Sequence, residues 1–318
     1  MHSALHALLF SYAVLAATPT CDANQIKTAS SLLLEHEHKW RIKTEPVSAG
    51  TQVFAIDGFL PPKLADEWYE TLNATWERSL PCRSDPSACV SGGHDEDAHG
   101  GGLCSWLYTT NSHGSNAKVR SVFRRHERKR EVHDMYRRGN FAYSKWELTA
   151  GHSLYASMGE MMSTDAVRDA VSRAVRMEGN LGNISDYFVT AFDDGDFLST
   201  HSDGASGSLA WVLHLSAGTW DSSAGGELRF NAGPPPGRSF GQRDFAPSFN
   251  RLLLFLTRPD YVPHQVLPVK LPSADHPPRF GMTGWYMTKT DHFSAATQRE
   301  NDAMRAAASK ASVGDVCL

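Results

Sequence analysis

The sequence predicts a mainly β fold with flanking α, an antiparallel barrel or jelly roll buttressed by N-terminal helices. Three observations predict it. From about Ser185 the short apolar runs DYFVTAF, LAWVLHLS, GGELRF, RLLLFL, HQVLPV and RFGMTGWYM follow one another, with Gly, Pro, Asp and Ser between them, as closely spaced strands do in such folds. Upstream, apolar residues recur at helical spacing instead. The length of 318 residues and a hydrophobic content of 41% allow one large domain or two modest ones, with a sizeable core.

The elements follow in chain order. ALHALLFSYAVLAATPTC, near the N-terminus, is an apolar run ending in small residues. Its length suits a secretory signal peptide over residues 1–20, cleaved near Ala16 or Ala17, and is short for a membrane span. A buried N-terminal helix is the alternative, because Met1, His2 and Ser3 bring no Lys or Arg. The N-x-[ST] sequons at Asn73 and Asn183 agree with the secretory pathway, in the endoplasmic reticulum lumen or outside the cell; a cytoplasmic chain is the other reading. Residues 21–50 form an N-terminal segment. No second long apolar run follows, so no stable membrane anchor is expected.

A support region then spans 51–184. TQVFAIDGFLPPKLADEWYETLNATWERSL reads as strand, turn and helix. Asp57-Gly58 marks the turn, and Pro61-Pro62 opens the helix where a missing N–H costs nothing. Leu64, Trp68, Leu72 and Trp76 give it one apolar face, read as core packing. STDAVRDAVSRAVRMEG is a second helix, capped by Ser163, Thr164 or Asp165, stopped at Gly179 and buried through Val167, Val171 and Val175. After the barrel region, 185–290, the tail 291–318 reads as a polar peripheral helix.

Other stretches carry weaker signals. Of the five cysteines, Cys21, Cys82, Cys89, Cys104 and Cys317, three bracket the Gly-rich loop 82–104. Two could pair in an oxidising compartment, in a connectivity the sequence does not give. His94, Asp95, Glu96, Asp97 and His99 in that loop have metal-ligand chemistry, but the flanking glycines leave no rigid element to preorganise them, and a solvated acidic loop is the better reading. KVRSVFRRHERKREVHDMYRR, residues 118–138, reads as an exposed helix held by i,i+4 charge pairs rather than a surface that steers an acidic partner. A net charge of -4 gives no reason to expect nucleic acid as a partner.

The chemistry concentrates at FLSTHSDGAS. His201 and Asp203 stand at i and i+2, which puts both on one face of an extended segment. An imidazole and a carboxylate so placed fit two adjacent positions around an octahedral metal, and non-haem iron sites add a second histidine. His264, in YVPHQVLPV, is that candidate. Arg279, in RFGMTGWY, is expected beside His264 in a hairpin, where its planar fork suits a carboxylate. His214 reads as a packed core histidine, Trp211 and Trp285 as barrel packing, and Gly225 and Gly226 as a bulge or tight bend.

DDGDFLSTHSD, AGGELRF, NRLLLF, HQVLPV and RFGMTGWY occur in this order. Together they resemble the 2-oxoglutarate- and Fe(II)-dependent dioxygenases, in the branch of the prolyl 4-hydroxylases, well over residues 185–290 and loosely back to residue 51. The resemblance implies a double-stranded β-helix, that is, a jelly-roll barrel. It implies that His201, Asp203 and His264 ligate iron and that Arg279 holds the distal carboxylate of 2-oxoglutarate. It implies dioxygen as the oxidant, hydroxylation of a peptidyl proline with release of succinate and CO2, and a role for ascorbate. No catalytic side chain beyond the metal centre is expected. Two departures fall at the co-substrate end: Phe192 stands where the family often has Tyr, and Gly281 where many relatives have Ser. Thr283 shares the strand face of Arg279 and Gly281 and is a partial substitute. The substrate is a peptide, a protein or a small molecule, and the oligomeric state is open. A non-catalytic metal-binding barrel that binds protein is the alternative function. A cupin-like binder is disfavoured, because it does not account for the arginine after the last ligand.

Overall fold

The strand texture of the second half closes into two facing sheets. A computed structural model describes residues 28–47, 50–78, 106–110, 141–146, 153–203, 206–216, 220–230, 242–257, 262–273 and 275–289. The expected signal peptide, the five cysteines, the 82–104 loop, the 118–138 basic stretch and the tail 291–318 lie outside these residues. The described residues form twelve strands: β1 (Arg41–Pro46), β2 (Gln52–Asp57), β3 (Trp106–Thr110), β4 (Phe141–Trp146), β5 (Leu181–Phe192), β6 (Phe197–His201), β7 (Leu209–His214), β8 (Leu228–Phe230), β9 (Arg243–Phe245), β10 (Arg251–Leu256), β11 (His264–Val266) and β12 (Arg279–Thr288). The α-helices among the described residues are α1 (Ala29–His36), α2 (Pro62–Arg78), α3 (Ser153–Ser163) and α4 (Asp165–Ala174). None of the helices among the described residues is long and apolar enough to cross a membrane.

Hydrogen bonding runs β5-β12-β7-β10 on one side and β6-β11-β8-β9 on the other, all antiparallel. From β5 to β12 the chain crosses between these sheets at every step but one, β8 to β9 being a hairpin within the second sheet; β4, which pairs with both β5 and β6, joins the two sheets at one side. This order is consistent with the jelly roll expected from the sequence. β1 and β2 extend the first sheet beyond β10.

Side-chain alternation divides the first sheet into two cores. Val189, Leu213, Leu254, Phe280 and Met282 point outward under the helices. Phe192, Val212, Phe255 and Trp285 point into the barrel with Phe230 and Val266 from the opposite sheet. Because both faces are covered, β7 is buried at every position, and its run LAWVLH is apolar almost throughout. Helix α2 lies on the outer face: Leu64, Trp68, Leu72 and Trp76 are all buried, and Trp76 meets Phe280 edge-on at 6.2 Å. Each such side chain stabilises the fold by roughly 1.5–3 kcal/mol.

Several elements differ from expectation. α4 is capped by the Thr164 hydroxyl but ends at Ala174, before Gly179, because Arg176 already takes a positive φ of 59° and breaks the helical run. β5 begins at Leu181, four residues ahead of Ser185. Arg279 is not in a hairpin with His264: β11 pairs with β6 and β8, β12 with β5 and β7. The jelly-roll crossover sends consecutive strands to opposite sheets, so closeness in sequence does not become pairing here.

Two polar ties fix the support region to the barrel. Asn250, at φ 56°, accepts from the Leu60 N–H and donates to the Leu60 carbonyl, both at 2.8 Å. Asp57 accepts from Arg251 at 2.5 Å and Lys43 at 3.2 Å, which links β1, β2 and β10. Partial burial pushes the Asp57 carboxyl up, but the two cations outweigh it and hold it below its ordinary value. A carboxyl depressed in the folded state contributes stability above its unfolded pKa and loses it as pH falls. Asp57→Asn should therefore cost about 0.5–1 kcal/mol at pH 7, a value discounted for solvent screening, and much less at pH 3. Urea unfolding at both pH values checks this; an equal loss at pH 3 would exclude the ion pair as the cause.

Candidate metal centre

Strands β6 and β11 build the centre. They pair antiparallel with His201 directly opposite His264, so the two rings sit 4.3 Å apart between centroids. Asp203 follows two residues after His201, in the loop that leaves β6. Its Oδ1 lies 3.4 Å from His201 Nε2 and its Oδ2 lies 3.3 Å from His264 Nε2. One ligand atom from each of the three falls within 4.8 Å of the others. His264 is buried, against Phe255 and Phe230 at 4.9 and 5.7 Å between centroids. The His201 side chain retains 31% exposure, which identifies the side from which the centre is reached.

Backbone carbonyls set the tautomers. His201 Nδ1 lies 2.9 Å from the Ser199 carbonyl, and His264 Nδ1 lies 2.9 Å from the Val262 carbonyl. A carbonyl only accepts, so both Nδ1 atoms carry protons and both Nε2 atoms turn lone pairs toward Asp203. Two imidazole lone pairs and a carboxylate then face one another, an arrangement that requires a cation or an extra ring proton between them. Burial and the neighbouring His264 push His201 below its ordinary value, although Asp203 opposes this. Burial pushes the Asp203 carboxyl up, but His264, His201 and the Trp285 indole together hold it below its ordinary value. Both directions, a lowered imidazole at His201 and a lowered carboxyl at Asp203, favour the forms that bind a metal. Two nitrogens and one carboxylate oxygen, with open positions remaining, fit a divalent iron better than a closed structural zinc site.

Arg279 begins β12 in the opposite sheet and is almost completely buried. It faces inward with Gly281, Thr283 and Trp285, so Thr283 shares its face as the alternation predicts. Its guanidinium carbon stacks 4.9 Å from the centroid of Phe192, its cross-strand partner. The phenyl ring therefore supports the arginine through its π face. Gly225 and Gly226 have φ of 65° and 73°, a tight bend open to glycine. A Cβ at Gly226 would lie 3.1 Å from Arg279 Cδ, so this glycine also clears the path of the arginine stem.

No ion-pair partner meets Arg279 among the described residues, and its Nε has no hydrogen-bond partner. Burial draws its pKa down to about 9, with Glu227 opposing. Arginine keeps its proton at neutral pH, so this buried charge stands ready for an anion. Sequence reading missed two neighbours of the site. His214 faces inward and lies 3.4 Å from Arg279, and Trp285 adjoins Asp203 while packing on Phe188. Strand period 2 places both on the inner face, but a strand alone does not say what stands opposite.

Comparisons with known proteins follow this geometry. Residues 185–287 match the family described as the 2OG-Fe(II) oxygenase superfamily. No curated protein sequence matches the chain. Similar solved structures include a prolyl-4-hydroxylase from Pseudomonas putida, at 16% identity and TM-score 0.34 over 80% of this chain and 96% of that one. Another is a prolyl hydroxylase from Trichoplax adhaerens in complex with a peptide fragment of the hypoxia inducible factor oxygen degradation domain, at 15% identity and TM-score 0.41 over 87% and 91%. A third comes from the prolyl 4-hydroxylases of Phytophthora capsici, at 16% identity and TM-score 0.32 over 73% and 75%.

Proposed function

Since the chain belongs, over residues 185–287, to the 2OG-Fe(II) oxygenase superfamily, we propose that it is an Fe(II)- and 2-oxoglutarate-dependent hydroxylase acting on peptidyl proline. The observation that carries the co-substrate reading is the buried Arg279 cation, which has no ion-pair partner among the described residues and stands inside the same barrel as the three converging ligands. A dicarboxylate that chelates a metal at one end and carries a charge at the other satisfies both.

His201, Asp203 and His264 hold the metal, with their tautomers fixed by Ser199 and Val262. Arg279 binds the distal carboxylate, held from behind by Phe192. The apolar lining from Phe230, Phe255 and Val266 keeps water away from the charged groups and strengthens their interactions. When bound, iron supplies the redox chemistry by which dioxygen turns 2-oxoglutarate into succinate and CO2 and oxidises a substrate C–H to C–OH. The proline assignment and the role of ascorbate rest on the ordered motif blocks and their resemblance to prolyl 4-hydroxylases; a secretory-pathway location of the protein rests on the N-terminal apolar run and the sequons at Asn73 and Asn183.

Anaerobic titration of the purified protein with Fe(II) and 2-oxoglutarate tests the proposal. A visible charge-transfer band that requires both, followed by succinate on admitting oxygen, is expected. Proline-containing peptides should increase succinate release and gain one oxygen atom by mass. Metal binding with neither band nor succinate would return the protein to the non-catalytic barrel.

A further inference from the structure

Strand β1 is the open edge of the first sheet. It stands at one end of the strand order and pairs with β2 alone among the described residues. Its residues, RIKTEP, are exposed at every position. Such an edge carries a row of backbone donors and acceptors without partners.

The ladder with β2 decides which groups face outward. The Val47 N–H donates to the Thr51 carbonyl at 3.0 Å, and the register then sets Glu45 opposite Val53, Lys43 opposite Ala55 and Arg41 opposite Asp57. Antiparallel strands alternate hydrogen-bonded and non-hydrogen-bonded pairs. Arg41, Lys43 and Glu45 therefore turn their backbone groups toward β2, and Ile42, Thr44 and Pro46 turn theirs outward. The free edge offers the N–H and carbonyl of Ile42 and Thr44 and the carbonyl of Pro46, which has no N–H. The Trp40 N–H is already donated to Glu37, so the row ends there.

This edge is complementary to itself. Lys43 and Glu45 flank Thr44 with opposite charges. Two copies of β1 laid antiparallel about Thr44 set Lys43 of each copy opposite Glu45 of the other. Thr44 then exchanges both backbone hydrogen bonds with its counterpart, and the Ile42 N–H of each copy meets the Pro46 carbonyl of the other. Ile42 is the large hydrophobic residue left exposed among the described residues, at 45%, and Pro46 of the other copy covers it. Opposite charges and paired threonines across a ladder both stabilise it. A register centred on Lys43 makes as many backbone bonds but brings two lysines face to face.

We propose that β1 is the surface through which two copies of the chain associate, paired antiparallel about a two-fold axis at Thr44. The same patch serves both copies, so the contact closes on itself and uses up the edge. One strand edge buries less area than a permanent dimer interface, so the association is reversible. It is independent of the chemistry at the metal centre, whose histidines lie on the other sheet.

Sedimentation equilibrium of the full chain, from about 1 μM to about 1 mM, tests this. The average mass of the wild type should rise toward that of a dimer, and amide exchange at Ile42 and Thr44 should slow as it does. Thr44→Pro removes an outward N–H and none that is bonded to β2; it should stay monomeric and melt with the wild type. Lys43→Glu and Glu45→Lys each turn the opposite-charge pairs into like-charge pairs and should weaken self-association by about tenfold or more. Mixed in equal amounts, these two variants restore opposite charges at both pairs and should associate with each other more tightly than either does with itself. A wild type that stays monomeric throughout overturns the proposal. So does a dimer that Thr44→Pro leaves intact, since its contact lies on another face. Charge variants that weaken association singly and do not recover in the mixture overturn it as well.

Discussion

Asp203→Ala is expected to abolish iron-dependent activity in a barrel that still folds. Asp203 is the only anionic member of the ligand set and sits in a loop, partly open to solvent. Its loss leaves two neutral imidazoles, and Mn(II) affinity measured by calorimetry should fall by at least ~100-fold, beyond the effect of losing an outer hydrogen bond to a ligand. Succinate should drop to background while the far-UV circular dichroism stays unchanged. His264→Ala should lose metal in the same way and also destabilise the fold by roughly 2 kcal/mol, since its ring is packed between Phe230 and Phe255 and its removal opens a cavity. Near-wild-type metal affinity in Asp203→Ala would refute the ligand assignment.

Arg279→Met should separate binding from stability in opposite directions. Co-substrate affinity is expected to fall by ~100-fold, ~2.7 kcal/mol, with Mn(II) affinity unchanged. The ligand-free variant should nevertheless melt higher than wild type. Its apolar side chain fills the channel of a buried guanidinium that has no ion-pair partner among the described residues, and such replacements are often stabilising by 1 kcal/mol or more. For a chain of this size that is a rise of roughly 2–4 °C. A higher melting point without ligand, and none of the further rise that 2-oxoglutarate gives the wild type, is the signature of a residue kept for binding. A destabilised variant that still binds 2-oxoglutarate would show Arg279 to be structural.

Much of this site is legible along the chain because its parts are local or ordered. His201 and Asp203 stand two apart on a strand end, and period 2 alone places them together. His264 and Arg279 are recognisable because each opens a strand at its place in an ordered series of motifs. The stripe Leu64, Trp68, Leu72 and Trp76 is legible through helical periodicity. What escapes reading is non-local or unpatterned. β1 is exposed at all six positions, so RIKTEP has no alternation to mark it. α3 contains Gly159, whose missing Cβ makes room for the Tyr187 ring, a packing reason that propensity cannot anticipate. The supposed hairpin of His264 and Arg279 fails because Greek-key crossover, not proximity in sequence, decides the partner. His214 looks like an ordinary core residue until β12 brings Arg279 beside it.

The separation of His264 from Arg279 into different sheets makes the barrel a caliper. On the function proposed above, the metal ligands hang from the rung His201–His264 of one sheet, and the carboxylate anchor Arg279 hangs from the other. A diacid that touches both spans the gap between them, so its carbon count is gauged by how far apart the sheets stand. Phe192, Phe230, Phe255 and Val266 pack between the sheets beside that gap, and a close-packed interior does not stretch continuously. Discrimination against acids one carbon shorter or longer then belongs to no single contact. It is a tolerance, set by the thickness of an apolar core whose members need never touch the ligand they size.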